Sequence, residues 1–81
     1  MVKFDELIKS LILPLVSFPD EVEIAYLGEE DGVMLYEAKV AKFDLGRVIG
    51  KGGHIATAIR TLLYAKASKD GVRVHLNIIE K

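Results

Sequence analysis

The glycine-rich segment Arg47-Val48-Ile49-Gly50-Lys51-Gly52-Gly53-His54 is the most distinctive part of this chain. Three glycines in four positions let the backbone approach another molecule closely. The residues that follow predict a helix, whose first turn carries unpaired N–H groups and a partial positive charge. We expect this arrangement to accept an anion such as a phosphate, with Lys51 as a point charge at the tip. Spacing alone leaves a second interpretation open, in which glycine only relieves strain in a helix–helix turn.

A helix is predicted on each side of this loop. Upstream, residues 43–48 predict a short helix, with Asp44 near the positive end of its dipole. Downstream, apolar side chains at i, i+4, i+7 and i+8 predict the strongest helix of the chain, which continues to about Ser68 and ends at Gly71. Those apolar residues are Ile55, Ile59, Leu62 and Leu63.

The rest of the chain predicts three strands and one further helix. Alternating apolar and polar residues predict strands over residues 22–26, 33–41 and 72–78, and the polar turn 28–32 predicts a hairpin between the first two. An apolar stripe from Phe4 to Leu15 predicts an N-terminal helix that Pro14 bends or ends. The expected fold class is α+β in the order α-β-β-α-α-β, a three-stranded sheet with helices mainly on one face. The pattern does not define the strand order.

Composition and charge limit the possible functions. The 81 residues, 51% apolar and 28% charged, predict one small globular domain. The net charge of −1 conceals an asymmetry, because residues 1–38 carry two basic and nine acidic residues, whereas residues 39–81 carry nine and three. The basic half contains the glycine loop, which favours a polyanionic partner, although chance segregation of solvated charges is the alternative. The N-terminal residues do not resemble a signal peptide and no apolar run is long enough to span a bilayer, so we expect a cytoplasmic protein that does not bind membranes.

No pattern in the chain predicts catalysis. Residues 46–52 resemble a P-loop, but the spacing is one residue short and Gly52 stands where a Mg²⁺-binding hydroxyl is needed. The absence of cysteine excludes disulfides and thiolate ligands, and two histidines, His54 and His75, do not make up the ligand set of a transition-metal site. We therefore expect no enzymatic activity, no cofactor and no metal.

Two segments carry a resemblance to a known family. Val48-Ile49-Gly50-Lys51-Gly52-Gly53 resembles the I-G-x-x-G core of KH RNA-binding domains, and the element order matches the type II arrangement. Chain length, residues 47–53 and residues 58–63 are similar to the small bacterial single-KH proteins of the KhpA type. The resemblance implies one type II KH domain over residues 1–81, with its G-x-x-G loop at 50–53.

The resemblance also implies a function and its residues. In such domains the loop grips the backbone of about four nucleotides of single-stranded RNA beside an apolar groove. Here Gly50, Lys51, Gly52 and Gly53 would form the clamp, Ile49 would line the groove, and nearby candidates for phosphate or base contact are Arg47, His54 and Arg60. The family implies an RNA chaperone or post-transcriptional regulator that forms homodimers and pairs with a KhpB (Jag-type) protein, with effects on cell shape, cell wall biogenesis, elongation and division.

Two departures from the family pattern bear on this expectation. Ala56 stands where KH domains often have a large aliphatic residue, and Ile55 is the neighbouring bulky residue. The acidic segment 29–31 lies in the loop that flanks the groove in this family, where it would repel phosphate. The alternative hypothesis is therefore a protein-assembly (dimerisation) module with weak or no RNA binding, for which the small-residue helix 54–68 would provide the packing face.

Overall fold

The computed structural model describes residues 3–81 and confirms the predicted order α-β-β-α-α-β. The helices and strands are α1 (Asp5–Ile12), β1 (Glu23–Glu30), β2 (Val33–Val40), α2 (Lys42–Ile49), α3 (His54–Lys69) and β3 (Arg73–Glu80). Three short 3₁₀ turns connect them, at Leu13–Leu15, Pro19–Glu21 and Lys51–Gly53. The three strands form one sheet, with the helices packed on one of its faces, so the α+β fold class is also confirmed.

Helix α1 ends where the sequence predicts a break. Its apolar stripe buries Ile8 and Ile12 against the sheet, and a 3₁₀ turn containing Pro14 follows directly. Proline cannot donate the backbone hydrogen bond that another α-helical turn would need. The chain therefore leaves the helix at Ile12 and crosses to β1.

The sheet is mixed, with the strand order β1-β2-β3. Strands β1 and β2 pair antiparallel, whereas β2 and β3 pair parallel. Period-two alternation directs one face of β2 and β3 into a single core, where it meets buried residues of α1, α2 and α3. The residues that this face contributes are Tyr36, Ala38, Val40, Val74, Leu76 and Ile78.

The predicted five-residue turn at 28–32 is wrong. Strand β1 continues to Glu30, and only Asp31 and Gly32 form the turn, both with positive φ (52° and 78°). That geometry suits the twist of a hairpin, and Asp-Gly is a preferred sequence for it. The register shifts between Tyr26 and Gly28, so Leu27 is an extra, bulged residue within the strand.

Helix α3 determines which end of the sheet each loop occupies. Because β2 and β3 are parallel, α2 and α3 form the crossover between them, and the N–H of Val72 donates to the carbonyl of Ala67 (2.9 Å), where α3 turns into β3. The 16 residues of α3 span about 24 Å, so its N-terminus lies at the other end of the sheet. Val33, directly after the hairpin turn, pairs with Arg73 at the start of β3. The acidic segment 29–31 therefore lies far from the glycine loop.

Candidate nucleic-acid interface

The glycine loop joins α2 to α3 through three residues with positive φ. Gly50 terminates α2 at φ 79° and ψ 169°, and its N–H donates to the carbonyl of Gly46 (2.8 Å). Gly52 and Gly53 adopt left-handed conformations, with φ of 64° and 77°. Most side chains are disfavoured at these backbone angles, and the angles of Gly50 are essentially restricted to glycine.

Gly50 differs from the other two glycines in its surroundings. A Cβ atom at Gly50 would lie 2.6 Å from Cγ1 of Ile55, whereas at Gly53 it would meet no atom within 4 Å. At Gly52 the only neighbour would be the His54 ring, 3.6 Å away. Gly50 is thus a packing position against α3, while Gly52 and Gly53 face open space. The interpretation that glycine only relieves strain in a helix–helix turn is sufficient for Gly50. It does not account for the open space around Gly52 and Gly53.

The loop leaves backbone donors available. The N–H of Gly53 donates to the carbonyl of Gly50 (3.1 Å), and that of His54 donates to Lys51. The N–H groups of Lys51 and Gly52, by contrast, have no backbone or side-chain acceptor among residues 3–81. Lys51 and Gly52 are exposed, so an anion can reach these donors at the start of α3.

The segment that carries the loop, from residue 42 to residue 69, has six basic residues and one acidic residue. Asp44 is the only acidic residue from position 42 to position 69 in the sequence, and it is 1% exposed. Its carboxylate accepts the backbone N–H groups of Ser17 (2.9 Å) and Phe18 (3.0 Å), so it is satisfied inside the protein. Sequence reasoning placed Asp44 near the helix dipole, but its contact with the segment before β1 depends on residues that are distant in the sequence.

The structure brings some of the predicted site residues together and separates others. Ile49 is half-buried beside Gly50, and His54 is exposed directly after the loop. Arg47 is exposed on α2, where its guanidinium donates to the hydroxyl of Ser17 (2.9 Å). Arg60 lies about 9 Å further along α3 than His54, because six residues separate them. Arg47 and Arg60 therefore flank the loop on different elements.

Arg60 reaches the free edge of β3. Its Nε donates to the carbonyl of Leu76 (3.0 Å), while the N–H of Leu76 donates to the hydroxyl of Tyr64 (3.4 Å). A cavity of about 450 Å³ continues from Tyr64 towards the start of β3, where Val72 and Arg73 line it. Sequence reasoning missed Tyr64, although its i+4 spacing from Arg60 places both side chains on one side of α3.

The departure at position 56 has a structural explanation. Ala56 is 3% exposed and faces the core, whereas the neighbouring Ile55 is half-buried and packs against Gly50. The bulk that Ile55 provides therefore supports the loop instead of replacing a side chain at position 56.

The described residues also limit other kinds of site. None of the helices within residues 3–81 combines the length and the apolar character required to cross a bilayer. In the same part of the chain, no three His, Cys, Asp or Glu side chains are grouped so that they could hold a metal ion.

Comparisons with known proteins identify related sequences. The family model described as "KhpA/KhpB, KH domain" matches residues 5–78. The protein named "RNA-binding protein KhpA" from Listeria monocytogenes is 50% identical over 76 residues, which cover 94% of this chain and 99% of the relative. The proteins of the same name from Clostridium acetobutylicum and Chlamydia trachomatis are 45% and 41% identical, and the alignments cover 97% and 96% of their lengths. These alignments cover 91% and 94% of this chain.

One solved structure has the same fold. It is a crystal structure of Era in complex with MgGDPNP and nucleotides 1506-1542 of 16S ribosomal RNA, with a TM-score of 0.69 and 15% sequence identity. The match covers 99% of this chain but only 32% of the Era chain. At this identity the likeness supports the fold alone.

Proposed function

Because the chain belongs to the KhpA/KhpB family of KH domains, we propose that it binds single-stranded RNA and catalyses no reaction. The grip is formed by Gly50, Lys51, Gly52 and Gly53 together with the first turn of α3. Ile49 lines the adjoining groove, and the flanking contacts come from Arg47, His54 and Arg60. We expect about four nucleotides to be held, as is typical of such loops.

The observation that carries this proposal is the open backbone at the loop tip. Lys51 and Gly52 are exposed and their N–H groups lack an acceptor within the described residues, while the Lys51 ammonium is free of any acidic side chain nearby in sequence. Phosphate oxygens accept such donors, and the positive end of α3 adds to the attraction. Contacts to the phosphate backbone carry no sequence information, so this grip alone gives affinity with little selectivity.

The test is the double variant Lys51→Asp/Gly52→Asp, assayed by fluorescence anisotropy with a labelled tetranucleotide. Two carboxylates at the grip should abolish binding, because they repel phosphate and the new side chain covers the backbone donors. Asp tolerates left-handed backbone better than most residues, so the circular dichroism spectrum should not change.

The chain contains a matched control at the opposite end of α3. Lys69 and Gly71 are exposed, and Gly71 has a φ of 76° with open space around it. Lys69→Asp/Gly71→Asp therefore introduces the same charge change in the same kind of backbone, and it should retain binding. Equal losses in both variants would mean that only net charge matters, and retained binding in the loop variant would refute the site.

The exposed side of α3 favours a second function, self-association. Leu62 is 58% exposed, and Ala58 and Ala65 lie on the same side of the helix. Small side chains around one large apolar residue allow close packing of a second helix, and a domain of this size gains from added burial. We therefore propose a homodimer through this side, and a heterodimer with a KhpB (Jag-type) protein through the same residues.

Sedimentation velocity tests the dimer. Leu62→Asp should give a monomer, whereas Leu27→Asp should not, because Leu27 is 57% exposed but lies on the sheet. A wild-type protein that stays strictly monomeric at tens of micromolar would contradict the homodimer.

The cellular role that we propose follows from a weakly selective grip on RNA. The protein would act in the cytoplasm as an RNA chaperone or post-transcriptional regulator, and would affect cell elongation and division together with its KhpB-type partner. Crosslinking followed by sequencing of bound RNA, with the wild type and the loop variant compared, identifies the transcripts that depend on this site.

A further inference from the structure

Two phenylalanines form an exposed aromatic pair at the N-terminal end of α2, the helix that leads into the glycine loop. Phe43, in the first turn of α2, is 84% exposed, and Phe18, before β1, is 47% exposed. Their ring centroids lie 6.3 Å apart at an interplanar angle of 41°. An exposed phenylalanine contributes little to a fold, so a pair of them at the surface indicates a contact with another molecule.

The pair is held in place by a buried carboxylate. Asp44 follows Phe43 directly, and its two oxygens accept the backbone N–H groups of Ser17 and Phe18. Burying a carboxylate is costly unless such bonds compensate it, and here they attach the segment before β1 to α2. The Arg47 guanidinium strengthens the attachment by donating to the Ser17 hydroxyl (2.9 Å). The two backbone segments that carry the rings are therefore held together before any ligand arrives.

The surroundings of the pair are mostly basic. Lys42, Arg47 and Lys51 are exposed on α2 and in the loop that follows it. Asp20 and Glu21 are exposed acids close to Phe18 in the sequence, and Glu21 forms an ion pair with Lys81 (3.0 Å). An aromatic pair bordered by cations suits a nucleobase attached to a phosphate backbone better than an apolar protein surface.

The distance to the loop also fits a nucleic acid. Gly50 follows Phe43 by seven residues, which corresponds to about 10 Å along the axis of α2. That corresponds to about three stacked nucleotides at about 3.4 Å each. A strand held at the loop can therefore extend to the pair.

We propose that Phe18 and Phe43 stack a nucleobase of single-stranded RNA that extends past the nucleotides held by the glycine loop. This inference rests on the proposed function, since the loop fixes where the strand begins. The Arg47 guanidinium, between the rings and the loop, meets the intervening phosphates. Stacking on aromatic rings tolerates every base, so the extension adds affinity without adding sequence preference.

RNA length separates this inference from the loop grip. The Phe43→Ala variant should bind a mixed-sequence tetranucleotide as the wild type does, and should bind a mixed-sequence octanucleotide about tenfold more weakly. Leu27→Ala, which removes an apolar side chain exposed on β1 and outside the proposed dimer interface, should affect neither RNA. Equal octanucleotide affinity in Phe43→Ala and wild type overturns the inference. Retained binding in the Lys51→Asp/Gly52→Asp variant overturns the loop grip instead.

A fluorescent probe gives a second, independent readout. The chain has no tryptophan, so Phe43→Trp introduces a single one and keeps an aromatic ring at the site. The octanucleotide should quench its emission, and the tetranucleotide should not. Emission that stays constant at saturating octanucleotide overturns the inference. Emission that changes with protein concentration without RNA also overturns it, because the rings would then contact a second protein copy.

Discussion

The substitution Gly50→Ala tests whether the glycines of the loop have different roles. At φ 79° and ψ 169°, Gly50 occupies a region that is essentially restricted to glycine, which costs another residue about 1–3 kcal/mol. The added Cβ would lie 2.6 Å from Cγ1 and 2.8 Å from Cβ of Ile55, an overpacking that costs about 1–3 kcal/mol more. We expect a loss of about 4 kcal/mol in the free energy of unfolding.

The matched substitution is Gly53→Ala, where φ is 77° and the added atom meets nothing within 4 Å. Only the backbone cost of about 1–2 kcal/mol applies there. Urea denaturation followed by circular dichroism measures both losses. Introducing Gly50→Ala into an Ile55→Ala background tests the clash, because Ile55→Ala removes Cγ1 and Cδ1 but keeps Cβ, so Gly50→Ala should cost less there without becoming free of strain. Equal costs for Gly50→Ala and Gly53→Ala, and no coupling to Ile55, would refute the packing role of Gly50.

Three further predictions concern the buried carboxylate of Asp44, the RNA grip of the glycine loop and one surface ion pair. Asp44→Asn should lower the free energy of unfolding by about 2 kcal/mol, because an amide oxygen replaces only one of two charged acceptors, while the exposed Asp20→Asn should change it little. If about three cations meet phosphates, log K for RNA should fall against log salt with a slope of about −2, and an affinity independent of salt would contradict the grip. The hydrogen bond and charge of Lys81 lower the pKa of Glu23, so that pair stabilises the fold above the ordinary glutamate pKa and ceases to do so as the pH falls. A carboxyl titration followed by NMR should show a higher pKa of Glu23 in Lys81→Ala than in the wild type.

Local periodicity explains why the order of elements could be predicted. The apolar residues of α1 and α3 recur with the helical period, and those of β2 and β3 with a period of two, so each element is encoded within its own segment. The parallel pairing of β2 with β3 depends on contacts between segments that lie far apart in sequence. No local pattern records such pairing, so the sequence left the strand order open.

The hairpin turn was mispredicted because residue type and backbone geometry are different properties. Residues 28–32 are polar or glycine throughout, which is typical of a loop. The Asp31-Gly32 pair suffices for the reversal, and the residues before it pair with β2 across a bulge at Leu27. The polar side chains of β1 therefore belong to an exposed strand.

The candidate site, like the fold, could be predicted from the sequence only in part. The glycine composition identifies the loop, because few other residues tolerate such a backbone. It does not distinguish Gly50 from Gly53, since that difference lies in the position of Ile55. Likewise, Phe18 and Phe43 are 25 positions apart in the sequence, and contacts between α2 and the segment before β1, such as that of Asp44 with Phe18, bring their rings together.

The most direct test of the RNA grip is a titration of ¹⁵N-labelled protein with a tetranucleotide, followed through the amide chemical shifts. The largest changes should occur at Lys51, Gly52 and the first turn of α3, where donors are open to a phosphate. Unchanged signals there, with changes instead on the exposed face of β3 at His75 and Asn77, would contradict the account.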